Sequence, residues 1–212
     1  MAVKTRQYDN SGRQAQARAT RAVVVAAAHD LFVERGYVAT TIEAIGQAAG
    51  VPLATVYRIL GSKRAILTAV LEVSFVGDDE PLALHERPEV RAAFAQEDPH
   101  RLIAAFAGVC HQVFDRSADI QRVLREAAGA DPVAAELLDW LNRQRLDGQT
   151  RVARVLADRG ALAEGLTVDA AADTIYTLMA PEVHHLLTVD RGWDADRYER
   201  WLSDSLGALI LA

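Results

Sequence analysis

The stretch from Thr40 to Leu60 constrains this chain more than any other part of it. It holds two helix-length segments on either side of Ala49-Gly50-Val51. Thr40 and Glu43 have the spacing of a capping box, in which a hydroxyl and a carboxylate satisfy each other's backbone amides. That helix then carries Ile42, Ile45, Gln47, Ala48 and Ala49. The second segment opens at Pro52, suited to a first helical position because it has no N–H to leave unpaired. It carries Val56, Tyr57 and Leu60 and stops at Gly61. Two helices of about nine residues joined by a tight corner make a helix-turn-helix. Ala48 and Ala49 are expected to let the helices approach, and Gly50 to supply the positive φ of the corner. Ile45, Val51 and Val56 would plug the angle between them. Two short helices also meet this way inside ordinary bundles, so the flanking sequence has to decide.

The flanks are helical as well. Val24, Ala27, Ala28, Leu31 and Phe32 recur at three- and four-residue steps, which predicts a helix from about Gln16 to Arg35, closed by Gly36. Residues 1–15 read as a flexible basic arm. Ser62 should cap a fourth helix through Lys63, Ile66, Leu67, Val70 and Leu71. Gly77 to Pro99 is a charged connector with three prolines and room for one short helix. Beyond it come one amphipathic stripe over Leu102–Phe114 and a shorter one over Ile120–Ala127. Asp131-Pro132 opens a long helix to about Arg159. Thr167 or Asp169 opens another, through Ile175, Met179 and Leu186 to about Val189, and Asp194 caps the last. The chain has no strand-period alternation, only 6% aromatic residues and abundant Ala, Leu and Arg. The expected fold is all-α. A three-helix head with its linking fourth helix (16–75) would precede a larger helical domain (76–212).

Charge divides at the same place. Residues 1–75 hold nine Lys/Arg against five Asp/Glu, whereas residues 76–212 hold fourteen against twenty-four. A basic head on an acidic body suits a polyanionic partner for the head; the bland alternative is that two solvated faces differ. A single cysteine, Cys110, rules out a disulfide within the chain and a four-cysteine zinc module. No apolar stretch approaches the roughly 20 residues that span a bilayer, so no membrane partner is expected. Arg6, Arg13, Arg18 and Arg21 precede the apolar run Ala22–Ala28, but the run continues to Arg35 with helical periodicity. It therefore reads as a helix rather than an export signal, and the expected location is cytoplasmic. His100 and His111 could share a helix face near Cys110. No Glu-x-x-His or two-histidine i,i+4 pattern accompanies them, and the adjacent His184 and His185 point in different directions. No metal or other cofactor is expected. Nucleophile elbow, phosphate loop and dinucleotide fingerprint are all missing from the sequence, so an enzyme is not expected either.

The run Thr40-Thr41-Ile42-Glu43-Ala44-Ile45-Gly46-Gln47-Ala48-Ala49-Gly50-Val51-Pro52-Leu53-Ala54-Thr55-Val56-Tyr57-Arg58, followed by Gly61-Ser62-Lys63, resembles the N-terminal signature of the TetR family of bacterial transcriptional regulators. The tail from Ala171 through Gly192-Trp193 to Tyr198 and Trp201 is similar to a C-terminal ligand domain common in that family. The resemblance implies that Thr41, Thr55 and Tyr57 hydrogen-bond phosphate oxygens, a task that fixes register without reading sequence. It implies a phosphate seat for Lys63 at the start of the fourth helix. It places Leu53, Ala54 and Arg58 towards base edges, where Arg58 suits guanine and the other two suit thymine methyls. Lys4, Arg6 and Arg13 of the arm would reach an adjacent minor groove. Other readings of the same residues stand beside these: Tyr57 as packing, Thr41 as a helix cap, Arg58 as a solvated side chain. Ile59 and Leu60 depart from the family pattern, which often has His or Tyr and an aromatic there. Leu60 keeps the apolar role with less bulk, whereas Ile59 removes a polar contact.

For the body, the resemblance implies dimerisation through the last two helices, with Tyr198, Trp201, Leu202, Leu209 and Ile210 as the apolar stripe; the other reading is that this stripe packs only within one subunit. It also implies an effector pocket, for which Phe106, Cys110, Phe114, Leu137, Trp140, Leu141, Tyr176 and Met179 are the candidates; each is equally a plain core residue. The function that follows is a homodimeric regulator, a repressor released from a palindromic double-stranded DNA operator by a small-molecule effector. The rival is a helical interaction module that has lost DNA binding.

Overall fold

Gly36 ends the first helix by its backbone alone. In a computed structural model of the chain, which describes residues 11–78 and 83–212, Gly36 sits at φ 77° and ψ 164° inside the helical stretch α1 (Ser11–Ala39) and kinks it. Helix α1 begins five residues before the predicted Gln16. Its exposed first turns, with Gln14, Ala15, Gln16 and Ala17, are rich in good helix formers and need no buried face to be helical. Further along, Val24, Ala28, Leu31 and Phe32 form the buried stripe.

After α1 come α2 (Ile42–Ala49), α3 (Leu53–Leu60) and α4 (Lys63–Val76). The chain divides into two compact units, Met1–Val70 and Leu71–Ala212, with the division inside α4. Thr41, not Thr40, caps α2: its hydroxyl oxygen accepts the Ala44 amide at 3.1 Å. Thr40 is buried instead, its hydroxyl 2.8 Å from the Gly36 carbonyl and 3.1 Å from that of Leu31. The capping box predicted with Glu43 is therefore not formed. Burial wins because a hydroxyl facing two carbonyls of α1 satisfies itself there and seals the kink. Thr40→Val keeps the shape and removes the proton donor. It should cost about 1–2 kcal/mol in denaturant titration, the usual cost of a lost buried hydrogen bond.

The second unit contains α5 (Pro88–Phe94), α6 (Pro99–Ala128), α7 (Pro132–Asp158), α8 (Val168–Leu178), α9 (Pro181–His185) and α10 (Ala195–Ile210). A 3₁₀ turn at Leu84–Glu86 precedes α5, and a π-helical turn at Leu186–Asp190 follows α9. The two stripes expected over 102–127 belong to one unbroken helix, α6, capped by Asp98. The helix expected from Thr167 to Val189 is instead broken at Met179–Ala180, because Pro181 lacks an N–H and its ring clashes with the preceding turn. Asp131, Thr167 and Asp194 cap α7, α8 and α10 through their side-chain oxygens. The main core joins α6, α7, α8 and α10 through residues such as Leu102, Leu156, Ile175 and Leu202. A smaller cluster of Val90, Val109, Val113 and Phe114 lies beside it, and Phe94 and Cys110 pack on both. Among the described residues no helix is long and apolar enough to cross a membrane.

Candidate nucleic-acid interface and ligand domain

The corner between α2 and α3 is built from backbone bonds. Gly50 takes φ 64° and ψ 26°, and the Val51 amide donates to the Gly46 carbonyl at 2.9 Å. Pro52 stands just outside α3 as its cap residue, one place earlier than predicted, and its carbonyl accepts from Thr55 and Val56. Ile45 and Val56 are fully buried in the angle, as the sequence led us to expect. The close approach, however, is made by Gly46 rather than by Ala48 and Ala49. A Cβ added at Gly46 would lie 3.0 Å from the Val51 carbonyl oxygen and 3.5 Å from a Val56 methyl. Ala48 is solvent-exposed and Ala49 half-buried, so neither governs that distance.

With Val56 turned inward, α3 presents Leu53, Ala54, Tyr57 and Arg58 outward. These positions span one helix face, because residues four apart lie nearly above one another. Tyr57 is 47% exposed and Leu53 37% exposed, so both can meet a partner without any repacking. Thr55, Ile59 and Leu60 are partly covered. Thr41 is exposed at the start of α2; while its oxygen caps Ala44, its proton remains free to be donated. Ser62 caps α4 by accepting the Ala65 amide at 3.1 Å. Lys63 is turned back onto its own unit, with Nζ donating to the Val38 carbonyl at 3.1 Å and lying 4.3 Å from the Tyr37 ring centre. Lys4 and Arg6 and the side chain of Arg13 lie outside the described residues.

The second unit corrects several candidates. Tyr198, Leu202 and Ile210 have no exposed surface and belong to the core of this one chain. They are buried before any second copy arrives, so they cannot form a dimer contact. Of that stripe only Leu209, 56% exposed, and the half-buried Trp201 remain available. Among the pocket candidates, Trp140 is 42% exposed on α7. Phe114, Leu137 and Met179 are buried packing, and Phe106 and Cys110 are packed partly against the core. Burial pushes the Cys110 thiol up to about 12, so it stays protonated. Leu141 lines a cavity of about 60 Å³ between α6, α7 and α9. Tyr176 lies next to it, its ring 3.5 Å below the Arg145 guanidinium.

A polar cluster that the sequence reading missed occupies the seam between the two apolar clusters. His111 Nδ1 and His184 Nε2 are 3.1 Å apart, and the His184 ring stands edge-on to Tyr198 with centres at 4.8 Å. His184 Nδ1 and the Tyr198 hydroxyl are buried without a hydrogen-bond partner. Burial pulls the His184 imidazole down to about 4, and the neighbouring His111 adds to the effect. Among the described residues no three His, Cys, Asp or Glu side chains group as a metal site.

Comparison with known proteins bears on the first unit most directly. Residues 24–70 match the family model described as "Bacterial regulatory proteins, tetR family". No curated protein matches the chain. Among solved structures, SmeT in complex with triclosan shares 22% identity over 92% of both chains, with a TM-score of 0.70. SmeT is described elsewhere as the repressor of the Stenotrophomonas maltophilia multidrug efflux pump SmeDEF. NalD, described as the secondary repressor of the MexAB-OprM multidrug efflux pump in Pseudomonas aeruginosa, shares 19% identity over 92% of this chain and 98% of its own, with a TM-score of 0.70. TylP, a regulator from Streptomyces fradiae, shares 21% identity over 94% and 89%, with a TM-score of 0.62. Likeness at this identity is likeness of fold.

Proposed function

We propose that the chain, whose residues 24–70 match the model of the tetR family of bacterial regulatory proteins, is a repressor of that family that binds a palindromic operator as a homodimer and is released by a small-molecule effector. The observation that carries this reading is the outward face of α3. A helix whose buried side is anchored by Val56 and whose other side offers Leu53, Ala54, Tyr57 and Arg58 is held rigidly for insertion into a major groove. Arg58 would pair with guanine, Leu53 and Ala54 would touch thymine methyls, and Thr41, Thr55 and Tyr57 would donate to phosphates. One short helix covers too few base pairs for useful affinity, so two copies would act together on two half-sites. Leu209, Trp201, Leu186 and Val189 supply exposed or half-exposed apolar surface in the C-terminal helices for that pairing. An effector would favour a conformer whose two reading helices are wrongly spaced, so effector and DNA would oppose each other reciprocally.

A salt titration tests the DNA reading. Log affinity for a short palindrome selected from genomic fragments should fall steeply against log salt. Lys63→Ala should flatten that slope by about 1.8, the effect of one lost phosphate contact in each of the two copies. The ammonium must then leave the Val38 carbonyl and the Tyr37 ring for the phosphate. An unchanged slope with a lowered melting temperature would instead make Lys63 only a fastener of α4. Salt-insensitive binding, or none to any fragment, would overturn the whole reading.

A further inference from the structure

The cavity of about 60 Å³ between α6, α7 and α9 is lined by Gln121 and Arg125 of α6, Leu138, Asn142 and Arg145 of α7, and Glu182 of α9. Its charges do not cancel. Glu182 pairs with Arg125. Arg145 has no carboxylate within ion-pairing distance among the described residues. Its Nη1 donates instead to the carbonyls of Tyr176, at 2.9 Å, and Met179, at 3.3 Å, and its plane stacks on the Tyr176 ring. Its Nε–H is buried with no acceptor. The lining thus has two guanidiniums against one carboxylate, and one of the cations is half-buried with only carbonyls and a ring for company. A desolvated charge without a counter-charge is costly to keep. The planar fork of a guanidinium matches a carboxylate bidentately. The space is several times the 10–15 Å³ or so that one water occupies, enough for a carboxylate and a few carbons.

We propose that this cavity binds a small carboxylate, with Arg145 as its counter-ion. Gln121, whose amide nitrogen also donates to Ser117 Oγ at 2.7 Å, and Asn142 line the same cavity, and Leu138 supplies an apolar wall for the aliphatic part of the ligand. The proposal gives the effector of the regulator a chemical class, and it rests on that reading only for the consequence on DNA.

Sodium butanoate and its neutral isostere butanamide, titrated calorimetrically into the full chain at matched ionic strength, test it. Butanoate should bind at least about tenfold more tightly, since the two ligands differ in charge and hardly in shape. Arg145→Gln should erase that advantage. Leu138→Phe, which fills the cavity and leaves Arg145 in place, should abolish binding of both. If Arg145→Gln fails to fold for want of its bonds to Tyr176 and Met179, the Leu138→Phe comparison decides alone. Equal affinity for the two probes overturns the proposal, as does an advantage for butanoate that survives Leu138→Phe. Operator affinity is measured separately: butanoate that binds at this cavity without weakening DNA binding upholds the carboxylate site and overturns its role as the effector site.

Discussion

Gly46→Val should destabilise and misalign the head, while Gly148→Ala, which adds a single carbon at another helical glycine, should be tolerated. At Gly46 the first added carbon already lies 3.0 Å from the Val51 carbonyl oxygen, and that oxygen is backbone at the corner. Moving it means moving Val51 and Pro52 and hence the start of α3. The two γ-methyls of valine would press further towards Val56, which has no exposed surface into which to retreat. Overpacking of this kind costs about 1–3 kcal/mol, and the helix propensity of a β-branched residue offsets little of it. Gly148 of α7 has nothing within 4 Å of its added Cβ, so Gly148→Ala should stabilise by up to about 1 kcal/mol. Denaturant titration reads both. Operator affinity adds a second readout: a tilt of α3 that misplaces Tyr57 and Arg58 should lower it more than tenfold for Gly46→Val. Full operator binding by this variant would show that α3 is not the reading element.

The sequence made the helix-turn-helix legible because its determinants are local. Gly50 for the corner, Val56 facing in, and the caps at Ser62, Asp131 and Asp194 follow from spacing within a few residues, whereas the outward roles of Tyr57 and Arg58 come only from the family resemblance. What stayed hidden depends on partners far along the chain. Thr40 and Thr41 are equally good caps on paper, and only the carbonyls of Leu31 and Gly36 choose between them. Gly46 is unremarkable as a helical residue until Val51 is folded back against it. In α10 the periodicity marks an apolar stripe but does not say which of its residues meet their own chain and which stay open. Tyr198, Leu202 and Ile210 meet their own. Pro181 is a local signal in the sequence: it breaks the helix after Met179 and resets the phase, so that His184 turns inward while His185 stays exposed. The His111–His184 contact spans 73 residues and leaves no trace in local spacing.

That contact should make the protein acid-labile well above the pH at which carboxylates protonate. His184 is 3% exposed, and burial first, then the charge of His111, lowers its imidazole from 6.5 to about 4, with Asp115 opposing and His185 adding slightly. In the unfolded chain the same ring takes a proton near its ordinary value of 6.5. Between those values the unfolded state binds a proton that the folded state refuses, so stability falls as pH falls. Above 6.5 both states are neutral there and the group contributes no slope. At about 1.4 kcal/mol per pH unit, the loss between pH 6.5 and 4 is about 3 kcal/mol, a large share of a typical domain's stability. Asp98, held below its usual value chiefly by the Arg101 amide, cannot mimic this, because its own window lies below 3.8. His184→Gln retains an amide that can bond His111 and removes the titration. Denaturation midpoints followed from pH 7.5 to 4.5 should therefore fall for the natural sequence and stay much flatter for His184→Gln, whatever the absolute stability of the variant. Parallel profiles for the two proteins would mean that His184 accepts its proton inside the fold, and that the seam between the two apolar clusters opens to water.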